Sequence, residues 1–346
     1  MTVDAAAIGA RPAREVLSWS RRLVDPALRE AVDALPASMR RIAGYHLGWW
    51  DADGCPTSAG GGKGFRPALA LLAAEAVGDD AVAALPAAIA VELVHNFSLI
   101  QDDVIDGDLS RRGRPTVWSV FGVGPAIVAG DALLALAFDV LAGDGHPADR
   151  RMVRMLSTAV LDLTEGEHAD IAFEHRTDVD LAECISMAEG KTGSILACSC
   201  ALGATLGGGT TAQVGQLRSF GEQLGMAFQL ADDLLGIWGD PAVTGKPVYS
   251  DLHRRKKSLP LVAALTSGTR AGRELAALYY GDRPLSAADV VRAAELVDLA
   301  GGRSWCRARA EDLLAGALRH LHAAVGATRA AAELTALAQL AARRDR

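Results

Sequence analysis

The sequence predicts an all-α protein, and two observations point that way. Half of the 346 residues are hydrophobic, with Ala and Leu dominating and aromatic residues at only 5%, a composition that suits close-packed helices better than strands. Apolar residues also recur with helical period in segment after segment. The length would allow two average domains, but helical enzymes often stay undivided around one large core.

Charge and cysteine usage narrow the function. The chain carries 35 basic and 42 acidic residues, a net charge of −7, and no basic stripe with interleaved aromatics, which argues against nucleic acid as a partner. Cys55, Cys184, Cys198, Cys200 and Cys306 are odd in number and form no CxxC pair, so a reducing cytoplasmic setting is expected. The N-terminus has no basic-then-apolar signal pattern, and Asp131 and Asp139 interrupt the apolar stretch 126–142. Neither secretion nor a membrane span is expected.

In chain order, residues 1–10 are expected to be frayed, with one domain over 11–346. Segments 11–35 and 36–50 read as amphipathic helices, Pro36 suiting a first turn. A glycine-rich loop over 51–65 leads to Lys63, Arg66 and Pro67, ahead of a helix over 68–77. Amides at that helix start, with the two cations, could hold an anion; a glycine linker with incidental cations explains them more simply.

The next helix, 81–106, ends in Asp102-Asp103-Val104-Ile105-Asp106. Asp102 and Asp106 stack one turn apart, with Asp103 on the same third of the circumference. The helix dipole opposes acids at this end, so a cation would explain them, and Mg²⁺ carrying a substrate diphosphate completes the set. A solvated acidic helix end reads the pentad equally well. His95 lies on the carboxylate face about 10 Å up the axis, where a core histidine and a ligand contact are both open. Arg111, Arg112 and Arg114 follow in a loop that Gly113 and Pro115 keep non-helical; they could fork onto phosphate or pair with the acids.

Helices continue over 125–142 and 149–173, the second carrying Asp162, Glu165, Glu167 and Asp170. A segment over 181–190 ends at Gly190-Lys191-Thr192-Gly193. No strand precedes it and the P-loop spacing is missing, which excludes a nucleotide P-loop; a lysine on a helix break could still reach phosphate. After a helix over 194–206, a long one over 211–238 carries Gln229-Leu230-Ala231-Asp232-Asp233, with Gly236 where a third acid would stand. The loop 240–258 supplies Lys246, Asp251, Arg254, Arg255, Lys256 and Lys257. Five helices complete the chain, at 259–265, 272–280, 286–299, 304–325 and 329–343.

From Tyr45 to Pro260 the chain resembles the trans-isoprenyl diphosphate synthases. The resemblance rests on Gly61-Gly62-Lys63-Gly64-Phe65-Arg66-Pro67, the Asp102–Asp106 pentad with Arg111-Arg112-Gly113, Gly190-Lys191-Thr192, and Gln229 to Asp233 with Gly245-Lys246-Pro247. It implies a single-domain helical bundle around a central cavity, commonly dimeric, with the two aspartate motifs facing each other across its mouth. It further implies that Asp102 and Asp106 bridge two Mg²⁺ ions and Asp232 holds a third, supported by Asp103, Asp233 and Asp251. Arg111, Lys191, Lys246 and Lys256 would grip an allylic diphosphate (dimethylallyl, geranyl or farnesyl). Lys63, Arg66, His95 and Arg112 would hold isopentenyl diphosphate, and Thr192 and Gln229 would face the carbocation.

The family pattern is not followed throughout. Gly236 lacks the third acid, Gln101 stands where bacterial relatives have His, and Glu167 stands where Gln is usual, its charge perturbing the site if it points inward. Phe97 and Ser98, just upstream of the pentad, resemble short-chain synthases making the C20 product, geranylgeranyl diphosphate, with C15 next. A terpene cyclase is the alternative enzyme, disfavoured by the Lys63, Arg66, His95 and Arg112 set. A catalytically silent partner subunit is the non-enzyme alternative.

Overall fold

The structure is a computed structural model that describes residues 9–57, 62–78, 80–143, 145, 148–241, 247–281 and 283–342. Residues 1–8 of the frayed start expected over 1–10, and Gly61, Gly245 and Lys246, lie outside the described residues. The fold is all-α as expected, with one two-stranded hairpin among the described residues. It folds into two compact units, each assembled from non-contiguous segments. No sequence boundary corresponds to either.

The first unit holds α1 (Ala13–Asp33), α2 (Ala37–His46), α3 (Phe65–Val77), α4 (Leu85–Ile105), α5 (Val117–Phe121) and α6 (Val123–Ala142). Helix α1 buries Val16, Ser20, Val24, Leu28 and Val32, a fourfold spacing that lays one stripe on the core. Arg11 donates from Nε to Oε1 of the fully buried Glu333 at 2.8 Å, tying the start of the chain to its last helix. Helices α3 and α4 are buried nearly all round, and α4 packs most extensively against α6.

Three boundaries differ from expectation. Helix α2 stops at His46, because Gly48 turns left-handed (φ 79°) and Trp50 folds back against Gly44, where any Cβ would strike its indole. Helix α3 starts three residues early, at Phe65, because Pro67 is tolerated within a first turn. Residues Ser110–Arg111 and Arg114–Pro115 pair as antiparallel strands. Arg112 and Gly113 both have positive φ, 54° and 73°, the mark of a tight mirror-image hairpin turn.

The second unit holds the C-terminal part of α7 (Asp149–Glu174), α8 (Leu181–Ala188), the start of α9 (Ser194–Leu206) and most of α10 (Thr211–Trp238). Helices within 250–320 and the end of the last helix, from Thr335, complete it. The expected helix break at 190–193 is absent: Glu189–Gly193 forms a π-turn that joins α8 to α9. Close packing enforces it. A Cβ on Gly190 would lie 2.6 Å from the Asp162 carbonyl oxygen, and one on Gly225 would lie 2.7 Å from Gly193 Cα. The basic loop also contains a short helix, Ser250–His253.

Ala81–Ile105 and Val123–Ala142 are long and apolar enough to cross a membrane by length and composition. The first is 67% buried, the second 39%, and α6 leaves Val123, Ile127 and Val128 exposed.

Candidate active site

In the first unit, the site is built along α4. Glu92 is the lone carboxylate in the apolar run that precedes Asp102, and it is 8% exposed. Burial raises its pKa, opposed by Arg66 and Arg112. Asn96, one turn on, donates from Nδ2 to the Glu92 carbonyl at 2.7 Å and to its Oε1 at 3.3 Å. Asn96 Oδ1 lies 3.1 Å from His46 Nε2, which sets the Nε2–H tautomer because an amide oxygen only accepts. Burial, then Arg112 and Arg111, push His46 down to about 3; burial, Arg66 and Arg112 hold His95 well below its ordinary value. Both rings are therefore neutral in a strongly cationic setting.

This geometry brings Arg66, His95 and Arg112 into one electrostatic neighbourhood around Glu92. Lys63 stands exposed just before α3. Backbone contact is close here as well: a Cβ on Gly62 would lie 3.2 Å from Arg112 Nη2 and 3.4 Å from Glu92 Oε1. A cleft beside it is lined by His46, Asp103, Arg111, Arg112 and Arg114 among others. Arg114 donates to the Tyr45 and Trp50 carbonyls, each at 2.9 Å, and pins α2 to the hairpin. Glu92, Asn96 and His46 were not among the expected site residues, and Arg114 bonds neither phosphate nor an acid but these two carbonyls. The signal for Glu92 was its charge inside an apolar run, with His95 and Asn96 three and four residues on.

The acids end this helix. Asp106 is exposed and Asp102 half-buried, whereas Asp103 is 1% exposed and accepts from Arg111 Nε at 2.7 Å. Burial raises the Asp103 pKa against the pull of Arg111. Arg111 thus does pair with an upstream acid. Asp103 keeps one oxygen, Oδ2, buried and without a hydrogen-bond partner, an unmet demand for a cation or water. Phe97 is buried and, with Gln101, lies against Gly130 of α6; Ser98 is half-buried and donates to the His95 carbonyl.

In the second unit, the π-turn presents Lys191 to two carboxylates. Its Nζ lies 2.6 Å from Glu167 Oε2 and 2.8 Å from Asp170 Oδ2. Glu167 does point inward, as a counter-ion. Asp170 is also 3.9 Å from Lys256 Nζ; burial alone would raise its pKa, but Lys256 and Lys191 hold it below the ordinary value. Burial works against the charge on Lys256, and Asp170, Asp233, Asp251 and Asp232 more than offset it. Thr192 donates to Gln229 Oε1 at 2.6 Å, and Gln229 Nε2 donates to Asp233 Oδ1 at 2.7 Å. Asp233 Oδ2 accepts from the Leu259 amide at 2.9 Å. Burial pushes Asp233 up to about 7, while Asp232 remains exposed. The basic segment is not a solvated loop: Lys257 is 5% exposed and donates to the Glu174 carbonyl.

Among the described residues no three His, Cys, Asp or Glu side chains form a ready-made metal cage.

A family model described as Polyprenyl synthetase matches residues 56–297. The chain belongs to the polyprenyl synthetase family. A geranylgeranyl diphosphate synthase of Mycobacterium tuberculosis is 46% identical over 349 residues, covering 100% of this chain and 99% of that one. A (2E,6E)-farnesyl diphosphate synthase of Mycobacterium bovis is 48% identical over 298 residues, covering 85% and 83%. The solved structure of a polyprenyl synthetase from Streptomyces coelicolor A3(2) has a TM-score of 0.90 at 45% identity, covering 94% and 98% of the two chains. This polyprenyl synthetase is therefore a prenyl diphosphate synthase by family, fold and relatives alike.

Proposed function

We propose that this polyprenyl synthetase condenses isopentenyl diphosphate with an allylic diphosphate into a short-chain trans-prenyl diphosphate, geranylgeranyl diphosphate foremost and farnesyl diphosphate next. The observation that carries this reading is that α4 joins a cationic pocket to an acidic end. Such a reaction needs two diphosphates treated differently, one retained and one expelled. Arg66, Arg112, Lys63 and His95 hold the retained diphosphate of isopentenyl diphosphate by direct charge and hydrogen bonds. Asp102, Asp106 and Asp232 hold the divalent ions for the departing one, with Asp103, Asp233 and Asp251 in support.

Mg²⁺, three per site, supplies the neutralising charge that makes diphosphate a leaving group. The donor set is hard carboxylate oxygen, and the buried, unpartnered Asp103 Oδ2 supports that choice. Arg111, Lys191, Lys246 and Lys256 grip the allylic diphosphate. Lys191 leaves Glu167 and Asp170 to do so, which makes its release part of substrate binding. Ionisation of the allylic C–O bond gives the carbocation, the isopentenyl double bond attacks it, and the departed pyrophosphate takes the proton. Thr192 and Gln229 orient each other beside that cation.

We further propose a homodimer in which a second copy covers the exposed face of α6, with the free cysteines suiting a reducing cytoplasm. Light scattering should return twice the chain mass. The deciding assay supplies labelled isopentenyl diphosphate with dimethylallyl, geranyl or farnesyl diphosphate, with and without Mg²⁺. Elongation that needs Mg²⁺ is expected, and no elongation with any primer would sink the reading. Phe97→Ala should lengthen the product; an unchanged distribution would show that another residue forms the floor.

A further inference from the structure

The short helix Ser250–His253 ends in a paired reversal. The Arg255 amide donates to the Leu252 carbonyl at 3.1 Å, and the Lys256 amide donates to the Asp251 carbonyl at 2.9 Å. Such a reversal holds its first residue past the cap in the left-handed region, where glycine is the usual occupant. Here the occupant is Arg255, at φ 53°. With Arg112 and Tyr249 it makes up the non-glycine residues of positive φ among the described residues, and an L side chain is disfavoured there.

The Arg255 side chain shows what the exception gains. Its Nη2 donates to the Gly281 carbonyl at 3.0 Å and to the Arg283 carbonyl at 2.5 Å. Just before that turn, the hydroxyl of Tyr279, 1% exposed, donates to the Lys256 carbonyl at 3.2 Å. On the other side of Lys256, Lys257 Nζ donates to the Glu174 carbonyl at 3.1 Å, and Cys184 Sγ donates to the Lys257 carbonyl at 3.3 Å. Lys256 therefore has both backbone polar groups bonded, and each of its neighbours is tied down by its own side chain. Its ammonium lies 3.9 Å from Asp170.

We propose that Arg255 is a positioning residue for Lys256. It stands at the glycine position of the turn so that its guanidinium moors the segment to the Gly281 and Arg283 carbonyls, and this aims the Lys256 ammonium before a diphosphate arrives. The inference rests on the reading of Lys256 as a grip on the allylic diphosphate. A cation already in place loses less freedom when its ligand binds. The same geometry gives Tyr279, far along the chain from either aspartate motif, a share in primer binding.

Arg255→Gly tests this, because glycine suits the turn better than arginine does; a residue present only for the fold would leave the kinetics unchanged. The assay is steady-state elongation with Mg²⁺, varying geranyl diphosphate and isopentenyl diphosphate separately. Arg255→Gly should raise the KM for geranyl diphosphate about tenfold and that for isopentenyl diphosphate less than twofold. Tyr279→Phe should raise the first about threefold by freeing the Lys256 carbonyl. Arg255→Lys keeps the charge, but its ammonium ends one bond short of the position of Nη2, and it should behave like Arg255→Gly. A wild-type KM for geranyl diphosphate in Arg255→Gly, an equal rise for both substrates, or wild-type behaviour of Arg255→Lys would overturn the proposal. Should Arg255→Gly fail to fold by circular dichroism, Arg255→Lys decides alone. An unchanged KM for geranyl diphosphate in Lys256→Ala would remove the reading of Lys256 itself and this inference with it.

Discussion

In the first unit, Arg66, Arg111, Arg112, Arg114, His46 and His95 gather around the buried carboxylates Glu92 and Asp103. In the second, Glu167, Asp170, Asp232, Asp233 and Asp251 gather around Lys191 and Lys256. The excess charge has opposite sign, and titration follows it: arginines help drive two histidines down in one place, while burial and a neighbouring acid push Asp233 up in the other. The first arrangement carries a net positive charge of the kind that suits an anion directly, and the second a net negative charge of the kind that would first need cations, as the proposed metal-carried diphosphate does.

Both units nevertheless treat the second aspartate of their motif alike. Asp103 and Asp233 are buried, and each fixes the segment that follows, through Arg111 in one case and the Leu259 amide in the other. The first aspartate of each motif is the more exposed.

Six substitutions test this comparison. Asp102→Ala or Asp106→Ala removes an anchor and should cut kcat/KM at least about a hundredfold, measured by steady-state elongation; a mild loss would mean that the second unit alone carries the ions. Asp103→Asn should lower stability by about 3 kcal/mol, because it strands a paired charge. Asp233→Asn should cost about 2 kcal/mol, because its amide meets a donor on one side. Metal-free denaturant titration reads both, and a neutral result for either would end the parallel.

Glu92→Gln should raise the KM for isopentenyl diphosphate about tenfold, because it removes the charge that Arg66 and Arg112 face and loosens their placement. An equal rise for the allylic substrate would break the separation of roles. His46→Gln is the mildest. His46 is neutral when folded down to about 3, against an ordinary 6.5. Between those values the unfolded chain binds a proton that the folded chain does not, so stability falls as pH drops below about 6.5. Replacing the ring should flatten that limb by ~1 kcal/mol per pH unit, seen in urea midpoints.

Much of this was legible in the sequence because it is set by local spacing. The acidic end of α4, the aspartate pair on α10 and the helical order follow from period and chemistry alone. What was hidden depends on tertiary approach. Glu92 meets Arg66 of α3 and Arg112 of the hairpin, and His46 of α2 joins through Asn96, so only packing makes them a network. The hairpin turn needed Arg112 to take a left-handed conformation that favours glycine. The continuous helix through Lys191 was read as a break because Gly190 and Gly193 look like punctuation, when they are contact points for Asp162 and Gly225.

That π-turn also resets the phase between α8 and α9. An α-helix advances about 100° per residue, so the one-residue surplus in 189–193 shifts the face that α9 presents relative to that of α8. Removing a single residue there would preserve an unbroken helix and yet rotate everything beyond it by more than a quarter of a turn. Length in this segment is therefore constrained as well as composition, and an insertion or deletion would be felt as a change of aim.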